Sequence, residues 1–334
     1  MLEKLRKSDV ELLDDVGKFV VRDRAEYRWR CRKCGHEFVA RYDSNFETRF
    51  GIPVRCPVCH PVSPGYSNEE KAFVDFVKGV YCGRLAENTK SVISPYELDL
   101  YLPDENLAFE FDGLFWHSEQ AGKPKDYHLR KTEMCEKLGV RLVHVFENEW
   151  TSKKDIVKSY VKRMLRQCDR TICASECDVR ETISDESFTF QNENHIKGGA
   201  WTSAGVGLYF KDELVSLVAL DQIQPEKWEL TRFCDKLDVD VVGSFRRLLE
   251  YFENAFRPRS LVCRCDRRWP GGELRRNAGF DLAETSGPAC WHFDRTCRLR
   301  LVDRPGAEDA KLDGKMRIFD CGSYVFEKKY PDSR

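Results

Sequence analysis

Residues 96–117 read YELDLYLPDENLAFEFDGLFWH, two runs of alternating residues joined by a turn. Alternation puts Leu98 and Leu100 on one face of the first run and Glu97, Asp99 and Tyr101 on the other. In the second run Leu107, Phe109 and Phe111 point one way, and Glu110 and Asp112 the other. Pro103-Asp104-Glu105-Asn106 is turn chemistry, so the two runs predict a hairpin. Asp99, Glu110 and Asp112 can then converge, as a hard divalent cation requires. The plainer alternative is a pair of solvated edge strands.

Outward from the hairpin, Ser67-Asn68-Glu69-Glu70 predicts a capped helix start before KAFVDFVKGVY. Phe73, Phe76, Val77 and Val80 form its apolar stripe, and Glu70 lies near its start. Downstream, a helix over 126–138 ends at Gly139 and carries His128 and Lys131 one turn apart. The strand VRLVHVF, with a structural His144, and a basic helix complete an α/β unit over 63–168.

The chain of 334 residues is long enough for two or three domains. Hydrophobic residues make up 41% and aromatics 12%, which suits globular order, and no window approaches a membrane span. MLEKLRKSDVELLDD lacks the apolar run of a signal peptide, so a cytoplasmic location is expected. Fifteen cysteines, an odd number, then point to reduced thiols and a metal site over a disulfide scaffold. The net charge of -1 does not announce a nucleic-acid binder, but basic residues cluster over 22–33 and 153–170.

Cys31-Arg-Lys-Cys34 and Cys56-Pro-Val-Cys59, with 21 residues between them, have the spacing of a four-thiolate zinc ribbon over 1–62. Arg30, Arg32 and Lys33 beside the first knuckle favour phosphate contact, with double-stranded DNA as partner. The third segment, 173–334, orders as three strands, a glycine turn and helix, a strand, a short helix and a further strand. Arg264, Arg267, Arg268 and Trp269 predict a basic, aromatic surface for DNA there.

Residues 63–168 resemble the PD-(D/E)XK nuclease superfamily, in its very-short-patch-repair branch and the related phage homing endonucleases with an EDxHD motif. The match rests on Glu70-Lys71, Asp99, Gly113-Leu-Phe-Trp-His117 and LGVRLVHVFENEW. It implies a DNA endonuclease of the phage homing type, acting in a host bacterial cytoplasm if phage-encoded. Asp99 and Glu110 are implied to bind catalytic magnesium or manganese, and His117 to act as base or acid. Glu70 is implied to position a second water or metal, and His128 or Lys131 a phosphate. Asp112 stands where the signature lysine would be. Residues 173–334 resemble a GNAT-type acyltransferase with a degenerate cofactor turn, Val242-Gly243-Ser244-Phe245-Arg246. The expected whole is an α/β (α+β) multidomain chain: zinc ribbon, nuclease core, and a GNAT-like tail that binds the target. Alternatives are acyl or related group transfer through the tail, or a DNA-binding regulator with an inactive nuclease core.

Overall fold

The computed structural model describes residues 9–15, 26–42, 54, 56, 58–59, 68–269, 271–293, 299–301 and 316–331. Ser67, the expected helix cap, lies outside them. The chain forms two compact units, Met1–Lys71 and Ala72–Arg334.

The first unit holds strands β1 (Val10–Leu12), β2 (Glu26–Cys31) and β3 (Glu37–Arg41) in one antiparallel sheet. The buried–exposed alternation of EYRWRC places Tyr27, Trp29 and Cys31 inward. Trp29 is fully buried, and its indole N–H donates to the Ala40 carbonyl at 3.0 Å, which satisfies the polar atom in an apolar setting.

Helix α1 (Asn68–Val80) carries Glu69 and Glu70 in its first turn, within the first unit, and continues from Ala72 as the start of the second. Phe73 meets Phe109 and Trp150 edge-on, at centroid distances of 5.8 and 5.3 Å. Strands β4 (Ala86–Thr89), β5 (Leu98–Leu102), β6 (Leu107–Asp112) and β7 (Arg141–Phe146) form a four-stranded sheet in that order. The β5–β6 hairpin follows the sequence reading, with Asn106 in the left-handed region at φ 47°. β6 runs parallel to β7, and the connection is helix α2 (Tyr127–Lys137). Every residue of β6 is buried, so Glu110 and Asp112 face the underside of α2. That excludes the solvated-edge alternative. Helices α3 (Glu147–Ser152) and α4 (Lys154–Met164) follow β7.

Strands β8 (Arg170–Cys173), β9 (Asp178–Glu181), β10 (Ala204–Phe210), β11 (Glu213–Gln224), β12 (Lys227–Asp235) and β13 (Val239–Val242) come next, with helix α5 (Ser184–Asn194) after β9. Helix α6 (Ser244–Phe256), β14 (Ser260–Asp266), helix α7 (Gly272–Asn277), β15 (Asp281–Thr285), β16 (Cys290–Phe293), β17 (Leu299–Leu301), β18 (Met316–Phe319) and β19 (Ser323–Lys329) complete the unit. A seven-stranded sheet runs β15-β19-β14-β12-β11-β10-β9, and within it only β12 and β14 are parallel. α6 lays Phe245, Leu248, Leu249 and Phe252 into a core with Trp228, Leu230, Leu261 and Phe326. Burial of each such side chain stabilises by about 1.5–3 kcal/mol.

One sequence expectation fails here. Arg267, Arg268 and Trp269 form no DNA-facing surface; they are 8%, 4% and 9% exposed. Arg267 pairs with Glu136 at 2.8 Å, and Arg268 with Asp266 at 2.9 Å and Glu149 at 3.0 Å. Trp269 packs edge-on against Tyr160 at 5.5 Å. The cause is partner choice: these cations are neutralised by carboxylates on the four-stranded part of the fold, so they pin the two sheets together. Arg264 alone of the four stays exposed, with Glu229 at 3.6 Å.

Candidate functional site

The polar residues of the four-stranded sheet sort into two adjoining groups under α2. Burial of His128, Lys131, Thr132 and Cys135 defines one helix face, spaced three and four residues apart. That face meets Glu110 and Asp112 on β6.

In the first group, Lys131 Nζ lies 2.6 Å from Glu110 Oε2, both nearly fully buried. The cation facing the strand carboxylate thus comes from the helix. Asp99 accepts the Phe111 N–H at 2.7 Å. Burial pushes the Asp99 carboxyl up to about 6, against the pull of Lys131 and of that N–H. Burial, then the charge of Asp99, raises Glu110 well above the ordinary carboxylate range, with Lys131 opposing. Glu110 Oε1 is buried with no hydrogen-bond partner, so one acceptor of the pair is left unsatisfied.

In the second group, Asp112 is ringed by three histidines. His117 Nδ1 stands 2.8 Å and His128 Nε2 3.3 Å from Asp112 Oδ1, while His144 Nδ1 stands 2.9 Å from Oδ2. His128 Nδ1 donates to the Phe319 carbonyl at 2.7 Å, which fixes the ring with Nε2 toward Asp112 and 3.1 Å from His117 Nδ1. Burial alone would raise Asp112, yet His128, His144 and His117 together hold its carboxyl well below the usual range. Burial lowers His117, and lowers His144 to about 4, against the attraction of Asp112 in both cases. Asp112, His117 and His128 present ligand atoms that can share one metal ion. Their spacing of 2.8–3.3 Å is that of adjacent ligands around a cation with bonds of about 2.0–2.1 Å.

The sequence residues Asp99, Glu110, Asp112, His117, His128 and Lys131 are therefore brought together. His117 stacks on His128, with ring centroids 5.3 Å apart, and Trp116 stands away, 69% exposed. Glu70 belongs to the first unit, and its place relative to these groups is not described. Missed at the sequence level were Thr132, 3.0 Å from His144 Nε2, and Tyr127, edge-on to His117. Their signal was the same helical spacing that places His128 and Lys131.

The four knuckle cysteines of the first unit also converge. Cys31 and Cys59 Sγ are 3.6 Å apart, as are Cys34 and Cys56 Sγ, near the edge of about 3.8 Å of a tetrahedral zinc–thiolate site. The N–H of Cys34, aimed at the sulfur, brings the Cys31 thiol down to about 7, toward the thiolate that zinc needs. The cluster can bind zinc. Arg30 and Lys33 beside it pair with Glu37 at 2.6 Å and Asp9 at 2.7 Å. Arg32 is exposed.

No protein-family model matches this sequence, and no curated protein matched it either. Among solved structures, similar ones include a GNAT family acetyltransferase from Elizabethkingia anophelis with acetyl-CoA bound, 10% identical over 46% of this chain and 99% of that one, at a TM-score of 0.32. Ard1 from Thermoplasma volcanium is 9% identical over 47% of this chain and 99% of its own, at 0.31. The Paia N-acetyltransferase from Thermoplasma acidophilum in complex with coenzyme A is 17% identical over 38% of this chain, at 0.26; the match spans 60% of that protein. This finding corrects the expectation of a DNA endonuclease: the matched proteins whose activity is named are acetyltransferases, not phosphodiester hydrolases. At such identities and scores the likeness assigns no substrate to this chain. Among the described residues no helix is long and apolar enough to cross a membrane.

Proposed function

We propose that the seven-stranded part of the chain carries out group transfer from an acyl-thioester donor. The observation that supports this is the parting of β12 and β14. They pair in parallel from Lys227 and Ser260 to Leu230 and Cys263, and the ladder stops there although both strands continue. The edge of Thr231–Asp235 then faces a wedge with no neighbouring strand, and the Thr231 carbonyl takes a hydrogen bond from the Arg232 guanidinium at 2.8 Å. An amide-bearing donor arm can pair with such an edge as an added strand does.

The surroundings fit a phosphate-bearing donor once one side chain moves. α6 begins at Gly243, whose φ of 81° favours glycine, with the neighbouring Val242 53% exposed. Arg275 crosses the wedge, with its guanidinium 5.9 Å from the Phe233 ring centroid and 4.9 Å from that of Phe245. It also bonds the Cys263 sulfur, so it fills the space between the strands. A bound acyl thioester would supply the activated acyl group; the chain contributes the strand edge and the helix start, and Arg275 must vacate the space. Acetyl-CoA titrated calorimetrically into the full chain should bind in the micromolar range, and Arg275→Ala should tighten it about tenfold. Absence of binding in both proteins would end this reading.

A second reading concerns a divalent cation, motivated by the unpartnered Glu110 Oε1 and by the convergence of Asp112, His117 and His128. The cation would sit at Asp112, His117 and His128, or between Asp99 and Glu110. Manganese binding followed by paramagnetic resonance should be lost in Asp112→Asn if the first location is right, and in Asp99→Asn if the second is. The ribbon's partner is proposed to be double-stranded DNA through Arg32. Unchanged DNA affinity in Arg32→Ala would count against it.

A further inference from the structure

The segment after α5 gathers cations that are held by backbone carbonyls. Lys153 Nζ donates to the Ile196 carbonyl at 2.5 Å, and Arg232 Nε donates to the Gly198 carbonyl at 3.2 Å. His195 Nδ1 accepts the Lys197 N–H at 3.1 Å, so the neutral ring carries its proton on Nε2 and offers a donor. Lys197 is exposed. Burial first, then the charges of Arg232, Lys197, Lys153 and Arg275, hold His195 well below the ordinary histidine range. Of the carboxylates facing this group, Glu149 and Asp266 share Arg268, and Glu229 lies beside Arg264; none makes an ion pair with Lys153, Lys197 or Arg232 among the described residues. Like charges gathered beside a half-buried imidazole repel one another unless an anion joins them.

A flat apolar surface follows within the same segment. Trp201 is 62% exposed and stacks on Phe188 at a centroid distance of 4.4 Å and an interplanar angle of 13°. A Cβ on Gly199 would meet the Phe188 ring and carbonyl at 2.8–2.9 Å, so glycine is what lets the two come together. One face of the indole is covered by Phe188, and the side chain remains largely open to solvent.

We propose that residues 195–201, with Lys153 and Arg232, form a nucleotide-binding site: the cations and the His195 Nε2–H take a phosphate, and the open face of Trp201 takes the base. The site goes beyond the transfer reading and requires no acyl donor. Its shared chemistry, a phosphate with a stacked base, is offered both by a free nucleotide and by a single nucleic-acid strand.

The test uses the full chain with three probes: inorganic phosphate, thymidine 5′-monophosphate and a single-stranded oligothymidylate. Calorimetry and tryptophan fluorescence follow binding. The nucleotide probes should bind more tightly than phosphate and quench the fluorescence. Lys197→Ala and Trp201→Ala, both at exposed positions, should each weaken nucleotide binding about tenfold with unchanged circular dichroism. The His195 pKa, followed by NMR, should rise on binding. An oligonucleotide that binds more tightly than the monophosphate assigns the strand as source, and equal affinity assigns the free nucleotide. Phosphate binding as tightly as the nucleotides, no binding of either nucleotide probe, or wild-type affinity in Trp201→Ala overturns the proposal.

Discussion

Lys131 and Glu110 are a pair whose members each depend on the other. Removal of water from both charges is costly, and the contact at 2.6 Å offsets that cost only while both are present. Lys131→Met strands the Glu110 carboxylate next to Asp99, and the loss should be about 3–5 kcal/mol in urea unfolding. Adding Glu110→Gln should return most of it, since the second change removes the orphaned charge. A loss below about 1 kcal/mol in the single variant would mean that water or a cation already screens the pair. This is also where sequence reading stopped short. Alternation along YELDLY and LAFEFD was enough to bring Asp99, Glu110 and Asp112 together, because strand period alone decides which side chains share a face. It could not say which cation faces them, because Lys131 arrives from another element across a parallel crossover.

The turn after β14 shows the opposite error. Arg267, Arg268 and Trp269 look like a basic aromatic surface when charges are counted along the chain. In three dimensions His144 donates its N–H to the Arg268 carbonyl at 3.0 Å, and the Arg268 guanidinium lies 4.3 Å from the Phe146 ring centroid. The turn therefore runs along the outer edge of β7, where an exposed ladder would otherwise invite another strand. Arg268→Ala should destabilise the second unit by about 3–5 kcal/mol, because Glu149 and Asp266 stay buried without it. Affinity for DNA should not change in that variant once it is folded. Arg264→Ala should shift stability by less than about 0.5 kcal/mol. The element order was legible in part: β10 to β12, the glycine turn with α6, then β14, α7 and β15 follow the expected order, since turn residues and apolar periods are local signals, whereas α5, β13 and β16–β19 were not expected. The parting of β12 from β14 was not legible, because register between strands separated by a helix leaves no trace in either strand's composition.

The division into two units gives zinc a bounded role. A small sheet whose core is Val10, Tyr27, Trp29, Tyr42 and Val54 has little apolar area to hold it, so the thiolate site should supply much of its folding free energy. Removing zinc with a strong chelator, or making Cys31→Ser with Cys56→Ser, should abolish a separate calorimetric transition from Met1–Lys71. The main transition of Ala72–Arg334 should survive. A single merged transition that falls as a whole would show that the units fold as one. The second unit has its own order of assembly. α2 rests on the end of the chain: His128 donates to the carbonyl of Phe319, 191 positions later, and Thr132 approaches the sulfur of Cys321 at 3.2 Å. During synthesis the four-stranded sheet can leave the ribosome and close long before those partners exist. His128 then has nothing to fix its tautomer, and the ring of histidines around Asp112 remains loose. The centre around Asp112 is therefore complete only once β18 and the turn after it have been made.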